Sequence, residues 1–346
     1  MTEPARPTER ERPDEGHLTD VDLEGGLYRP EAEPRADMGM QTEFTTGMSA
    51  TELVYETGLE LKARSQWAYA RRRFLRHRLA MGSLVLLVII LLVGVFANKI
   101  APYKYDAIDF SSIVKGPSRD HIFGTDLLGR DYLTRVLFAI RTSARVAFLV
   151  AILSTAIGTT IGSLAGYFGG WIDNLLMRFT DLILTLPLLA VLLVASAKFG
   201  NGNQYRVALI LALLFWTGIA RVVRGIFLSL REKEYVEAAK AAGAGDARII
   251  FRHILPNSLG PIIVNMTLTV AGAILIESAL SFLGFGIKPP TPALGLLISD
   301  GATEMQTAWW LVVFPGVMIM AIVLCINFIG DGLRDALDPT QRRVRA

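Results

Sequence analysis

Six runs of this chain, Leu79–Phe96, Val146–Phe168, Leu182–Phe199, Val207–Ile226, Pro261–Leu283 and Trp309–Ile329, are apolar almost throughout. Each is close to the ~20 mostly apolar residues that an α-helix needs to cross a bilayer. No other feature constrains the fold as strongly. Inside hydrocarbon every backbone N–H and C=O must be satisfied within the protein, so repeated spans of this length fold as a helical bundle. Composition agrees, with 52% hydrophobic and 19% charged residues among 346 and a mean hydropathy of +0.41. Soluble domains carry about 25% charged residues. The expected fold class is an all-α integral membrane protein with six transmembrane helices.

Charge orients the spans. The net +3 conceals an asymmetry: residues 1–60 hold 15 acidic and 5 basic side chains, and the remainder 30 basic against 17 acidic. Residues 1–60 are rich in Pro, Glu, Arg and Thr and bury too little apolar surface to offset their ordering entropy, so a disordered acidic tail is expected. It has no apolar core of the kind a secretory signal requires. Residues 61–78 follow as a basic pre-membrane segment containing Lys62, Arg64, Arg71, Arg72, Arg73, Arg76 and Arg78. Basic flanks mark the cytoplasmic side and its anionic lipid. An even number of spans returns the C-terminal "RRVRA" to that side. It also places the loop between spans four and five there, with Arg221, Arg224, Arg231, Lys233, Lys240, Arg248 and Arg252. Both termini are therefore expected in the cytoplasm, with Lys99–Arg141 and Gly284–Ala308 outside. The exception is Arg130, Arg135, Arg141 and Arg145, which are read as one face of an interfacial helix leading into span two. The expected organisation is a first span with its outer loop (79–145), a five-span core (146–330) and a C-terminal tail (331–346).

Three features inside the spans carry further information. Gly158, Gly162 and Gly166 recur every four residues, a spacing that lets two helix backbones approach closely. Pro187 and Pro261 remove backbone donors that neighbouring helices must compensate. Glu277 is the only acidic residue in a span, and intramembrane carboxylates face a bundle interior or a water path. It is a candidate pathway, gate or subunit-contact residue, with an interfacial position as the alternative. Cys325 lies alone in an apolar run and forms no internal disulfide.

Sequence signals of covalent chemistry are missing. There is no Gly-x-x-x-x-Gly-Lys-Ser/Thr phosphate loop and no Gly-x-Ser-x-Gly elbow. His17, His77, His121 and His253 are scattered without zinc spacing. Asp126 and Asp131 flank Gly129 and suit turn and capping roles. The Arg71–Arg73 cluster abuts span one, which leaves no free basic surface for nucleic acid. No catalytic residue, cofactor site or metal site is expected in this chain.

One polar interruption is more telling. "EYVEAAKAAGAGDARIIFRHILPN", Glu234–Asn257, places a small-residue helix between two spans. Gly243 ends that helix, since glycine alone takes the left-handed cap cheaply. Asp246 is placed to cap a second short helix, with Ala247, Ile250, Phe251 and Ile254 on one face. Pro256 is read as its stop. Alanine-faced helices suit insertion into a groove on a partner.

These residues resemble a known family. "EAA", three residues, Gly, nine residues and "HILP" are similar to the EAA loop of ABC-transporter permeases, the membrane subunits of binding-protein-dependent importers. His253 stands where the general pattern has Ile, as is usual in the branch that imports peptides and nickel. "RRFLRHRLAMGSLVLL", "FGTDLLGRD", "GGWIDNLLMR", "ESALSFLGFGIKPPTPALG" and "NFIGDGLRDALDP" match as well, so the resemblance spans residues 67–339. Departures are Ala293-Leu294-Gly295, where the family more often has Ser-Trp-Gly, and Thr134 in place of Ser. Both fall in the outer loops.

The resemblance implies a type I importer permease fold in a bacterial or archaeal cell membrane. It implies a heterodimer with a second, homologous permease chain, two cytoplasmic ATP-binding subunits and an extracytoplasmic substrate-binding protein. The EAA loop (229–257) would carry the coupling helix, with Glu237, Ala238, Ala239, Gly243, Asp246, Leu255, Pro256 and Asn257 contacting an ATPase. ATP and Mg would be bound by those partners, with no cofactor on this chain, and ATP-driven closure would turn the path from inward- to outward-facing. Di- or oligopeptides are the commonest cargo in the branch, beside nickel chelates and oligosaccharides. Two other classes remain as alternatives: a stand-alone secondary transporter, which would show paired broken helices in related halves, and a membrane scaffold using the acidic tail.

Overall fold

The structure, a computed structural model, describes residues 66–200 and 202–337. The acidic tail, residues 61–65, Asn201 and residues 338–346 lie outside the described residues. The chain divides into two units after Lys62, and all described residues belong to the second.

Helix α1 (Gln66–Arg76) stops at His77, whose Nδ1 accepts the Ala80 N–H at 3.1 Å and so caps α2 (Arg78–Val95). After a long loop come α3 (Tyr132–Phe168), α4 (Gly170–Thr185) and α5 (Leu188–Ala195), the last continued by a π turn, Ser196–Gly200. Then follow α6 (Gln204–Arg231), α7 (Glu234–Ala241) and α8 (Asp246–Ile249), with a second π turn, Ile250–Ile254. Helices α9 (Leu255–Phe282), α10 (Leu294–Gly301) and α11 (Trp310–Leu337) complete the chain. There is no strand among the described residues.

Five helical runs are long and apolar enough to cross a membrane: α2, α3, α6, the run Asp246–Phe282, and α11. The third expected span is not one helix. Helices α4 and α5 meet at 84°, and the pair makes the sixth crossing only as a broken span. Pro187 is the cause. Proline drives its predecessor out of the helical region, and Leu186 is extended at φ −73°, ψ 138°. Beside the break lies an apolar recess of about 180 Å³, lined by Ile183, Leu186, Leu188, Val191, Leu214 and Phe215. Residues 184–190 are all exposed. Lipid cannot satisfy an interrupted backbone, so this face suits protein or a water-filled path.

Other boundaries also shift. The helix that holds span two starts at Tyr132, ahead of the apolar run from Val146, and α3 runs 37 residues, about 55 Å at 1.5 Å per residue. The last helix continues to Leu337, so the described part of the expected tail, residues 331–337, is helical and continuous with span six.

The backbone of the bundle is the pair α3 and α6. A Cβ at Gly158 would come within 2.7 Å of the Trp216 carbonyl, and one at Gly166 within 2.7 Å of the Arg224 carbonyl. Between them, a Cβ at Gly162 would collide with the Ala220 carbonyl. Both helices present their contacts every four residues, which is the register of close, small-residue packing. A large apolar core gathers α3, α9, α10 and α11, and a second, smaller one sits at the basic end of the bundle.

The glycine contact is directly testable. Gly162→Leu forces a side chain into the α6 backbone and is expected to cost ~3 kcal/mol. Thermal unfolding of the detergent-purified protein should fall accordingly, while Gly218→Leu, which faces open space, should leave it unchanged.

Candidate functional site

At the basic end, α6 closes at Arg231 and the chain turns directly into α7. Val236 is fully buried in the smaller core with Phe227 and Val223, which fastens α7 to the bundle by one side chain. Glu237, Ala238 and Lys240 are exposed and Ala239 is half-buried, so the helix offers its alanine face outward. Gly243 has φ +78°, and its N–H donates to Lys240 O while Ala244 N–H donates to Ala239 O. This is a Schellman cap, which requires the left-handed residue. A Cβ there would meet nothing within 4 Å, so backbone conformation and not space demands the glycine.

Three sequence expectations need correction here. Gly245, not Asp246, occupies the N-cap of α8, and Asp246 is the first helical residue. Its carboxylate instead accepts the Tyr167 hydroxyl at 2.7 Å. The buried face is Ile249 and Ile254, with Ala247 and Phe251 exposed. The reason is the π turn: Leu255 N–H reaches Ile250 O in an i→i+5 register, which brings residues five apart onto one face. Finally, Pro256 does not stop a helix. It sits in the first turn of α9, where its missing N–H costs nothing. Leu255 is half-buried, Pro256 and Asn257 are exposed, and Asn257 Nδ2 donates to His253 O at 2.6 Å.

Ion pairs brace this end. Arg224 holds Asp173 through two nitrogens, with Nη2 to Oδ2 at 2.6 Å, and Arg221 reaches Asp181 at 2.6 Å. Arg231 Nη1 donates to Tyr167 O at 3.0 Å. Tyr167, Asp173 and Asp181 were not singled out from the sequence. The signal available was the "GGWIDNLLMR" match, in which Asp173 follows the α3 end by one helical turn.

The opposite end carries a denser network. Asp126 accepts the Leu128 and Arg130 N–H groups at 2.9 Å each, Arg130 Nε at 2.7 Å and Arg135 Nη1 at 2.6 Å. Arg135 is 1% exposed and also reaches Asp300 at 3.5 Å. Asp131 caps α3 through Thr134 N–H and pairs with His121 Nδ1 at 2.9 Å. The expected interfacial helix is thus replaced by the first turns of the continuous α3. Arg130 and Arg135 both pair with Asp126, whereas Arg141 is half-buried and Arg145 is exposed.

Glu277 is 0% exposed, so in this chain it lines no open path and no free surface. Its oxygens accept Ser143 Oγ at 2.9 Å and Ser281 Oγ at 2.7 Å. Each hydroxyl in turn accepts a loop N–H, Leu294 on Ser143 and Ile287 on Ser281, both at 3.2 Å. One carboxyl therefore clamps both ends of the loop 287–294 onto α3 and α9. The departures Ala293, Leu294 and Thr134 are also fully buried, so they are packing differences and not surface ones. No group of three metal-ligating side chains occurs among the described residues.

A bundle of apolar helices with a broken span, ion pairs gathered towards its two ends and a protruding alanine helix defines a multi-pass membrane protein. Comparison with known proteins identifies its family. Residues 158–343 match the family described as binding-protein-dependent transport system inner membrane component, and residues 65–117 match the N-terminal TM domain of oligopeptide transport permease C. The chain belongs to this family of ABC-importer permeases. It is 43% identical over 286 residues to the oligopeptide transport system permease protein OppC of Escherichia coli K12, covering 82% of this chain and 94% of that one. The corresponding OppC of Mycobacterium tuberculosis H37Rv is 41% identical over 275 residues (79% and 94%). The dipeptide transport system permease protein DppC of Alkalihalophilus pseudofirmus is 43% identical over 278 residues (80% and 91%).

Two outcomes test this geometry. Glu277→Ala strands two buried hydroxyls and frees both ends of the loop. It should cost about 2–3 kcal/mol in thermal unfolding, whereas Glu277→Gln, which keeps an acceptor oxygen, should lose less. Burial of Asp300 raises its carboxyl above the ordinary 3.8, with Arg135 opposing. A raised carboxyl contributes stability that is full below 3.8 and is lost as pH rises through the higher folded value. Asp300→Asn should therefore gain on the parent at neutral pH, an advantage that vanishes as the unfolding assay is moved down towards pH 3.8.

Proposed function

We propose that this chain is a peptide-translocating permease subunit, coupled to cytoplasmic ATPases through α7 and the segment Glu237–Asn257. It forms half of the translocation path and pairs with a second, homologous permease. Two ATP-binding subunits supply ATP and Mg chemistry, and an extracytoplasmic binding protein delivers cargo. The chain itself is non-catalytic and holds no cofactor. The basic flanks of Arg71–Arg78 and Arg221–Arg252 support cytoplasmic termini. Peptide cargo is supported by the oligopeptide and dipeptide permeases at 41–43% identity.

The observation that carries the coupling assignment is the form of α7. A helix anchored by one buried side chain, Val236, and exposing Glu237, Ala238 and Lys240 is shaped to seat in a partner. Its exit is set by a left-handed glycine whose Cβ position is open, so the turn answers to backbone conformation and leaves that face free for a partner.

Two substitutions separate docking from coupling. Ala239→Asp puts an uncompensated charge into the interface, and the purified complex should retain less ATPase. Gly243→Val imposes a strain of ~1–3 kcal/mol on a left-handed residue, so ATPase should stay bound while hydrolysis becomes poorly linked to uptake in vesicles. If both variants bind ATPase and transport as the parent does, the segment is a connector and the assignment fails.

A further inference from the structure

We infer that the Tyr167–Asp246 hydrogen bond is the joint through which displacement of the coupling segment enters α3, making Tyr167 a positioning residue for transport. The inference rests on the coupling role proposed above and adds how the motion leaves that segment. Asp246 lies on the coupling side, four residues beyond the Gly243 turn's Ala242 cap. Tyr167 is the penultimate residue of α3, and its hydroxyl donates to Asp246 Oδ1 at 2.7 Å. The Tyr167 side chain is 6% exposed and packs in the same core as Val236, Ile249, Ile254 and Phe227. Its carbonyl is held by Arg231 at 3.0 Å, so one residue touches the coupling segment, the end of α6 and the end of α3.

What gives the joint reach is the rod behind it. Beside Tyr167, Gly166 locks α3 against the Arg224 carbonyl, and Gly162 and Gly158 continue the lock along α6. The same α3 carries Ser143, which holds the Glu277 clamp, and Arg135, which holds Asp126 and Asp300 at the far end. A push on Asp246 is therefore delivered to a single continuous helix that is fastened to the loops on the other side. The apolar contacts alone position the segment, but they slide; the hydrogen bond fixes the direction in which it pulls.

The test uses the whole complex in membrane vesicles, with Cys325→Ala and Leu186→Cys as the reporter. Leu186 is 43% exposed at the broken span. Maleimide labelling is compared without nucleotide and after trapping with ATP, Mg and orthovanadate. The parent should show a nucleotide-dependent change in labelling rate. Tyr167→Phe should shrink that change about fivefold, the ~1 kcal/mol expected of one hydrogen bond, while retaining ATPase subunits and basal hydrolysis. Asp246→Ala should shrink the labelling change to the same degree, the double variant should shrink it no further than either, and Asp246→Asn, whose amide oxygen still accepts, should restore most of the response. A full response in Tyr167→Phe overturns the joint. So does loss of ATPase from Tyr167→Phe, because the bond would then serve docking or folding. Failure of the coupling reading shows separately: the Ala239→Asp complex would keep both its ATPase and its labelling response.

Discussion

The approach of α3 to α6 through Gly158, Gly162 and Gly166 is the contact on which the rest depends. Lipid is as apolar as any leucine, so apolarity alone does not hold membrane helices together; close packing and a few polar contacts do. Removing three side chains from one face lets the α3 backbone lie against the carbonyls of Trp216, Ala220 and Arg224. That approach sets the register of everything at the helix ends. It puts Arg224 level with Gly166, where it can span to Asp173 at the start of α4. It puts Tyr167 between Arg231 and Asp246.

Polar groups are placed where the bundle can use them. Arg135 would be costly if buried alone, but it faces Asp126 Oδ2 at 2.6 Å, an oxygen it shares with Arg130 Nε, and the other oxygen is taken by the N–H groups of a turn. Breaking such a pair leaves a buried charge, typically at 3–5 kcal/mol, so this network specifies one loop conformation more than it adds stability. Glu277 works in the same way without a cation. Its two oxygens each reach a serine, and each serine reaches a loop N–H, which converts a single carboxyl into a mould for the chain between Ile287 and Leu294.

Much of the fold was legible in hydropathy because bilayer thickness imposes a length that the chain must obey. Five helical crossings and the positive-φ Gly243 could be read locally. What escaped has no local period. The i→i+5 turn at Ile250–Ile254 moved the buried face from Ala247 and Phe251 to Ile249, because the expected face assumed 3.6 residues per turn. Tyr167–Asp246 joins residues 79 apart and Arg135–Asp300 residues 165 apart, so no window on the sequence contains both partners. Glu277 was visible as an anomaly, but its serines were not, since serine in an apolar run carries no signal of its own. Pro187 was noted as a lost donor; its effect, an 84° break in place of a kinked helix, depends on Leu186 being pushed into an extended conformation before it.

That break also argues, independently of any relative, that this face of the bundle is not turned to lipid. Helices α4 and α5 leave residues 184–190 exposed at the level of Leu214 and Phe215, which lie near the centre of the 28-residue α6. The last carbonyls of α4 and the first N–H groups of α5 have no successor or predecessor within their own helices. In water such an interruption is harmless. In hydrocarbon each unsatisfied group costs several kcal/mol, and helices interrupted at mid-membrane are tolerated only where protein covers them or water reaches them. A bundle that turns its broken span outward at mid-depth therefore needs a second protein surface or an aqueous path beside it. The break lies beside the middle of α6, the helix whose far end leads into α7, so the exposed interruption and the protruding alanine helix share one neighbour.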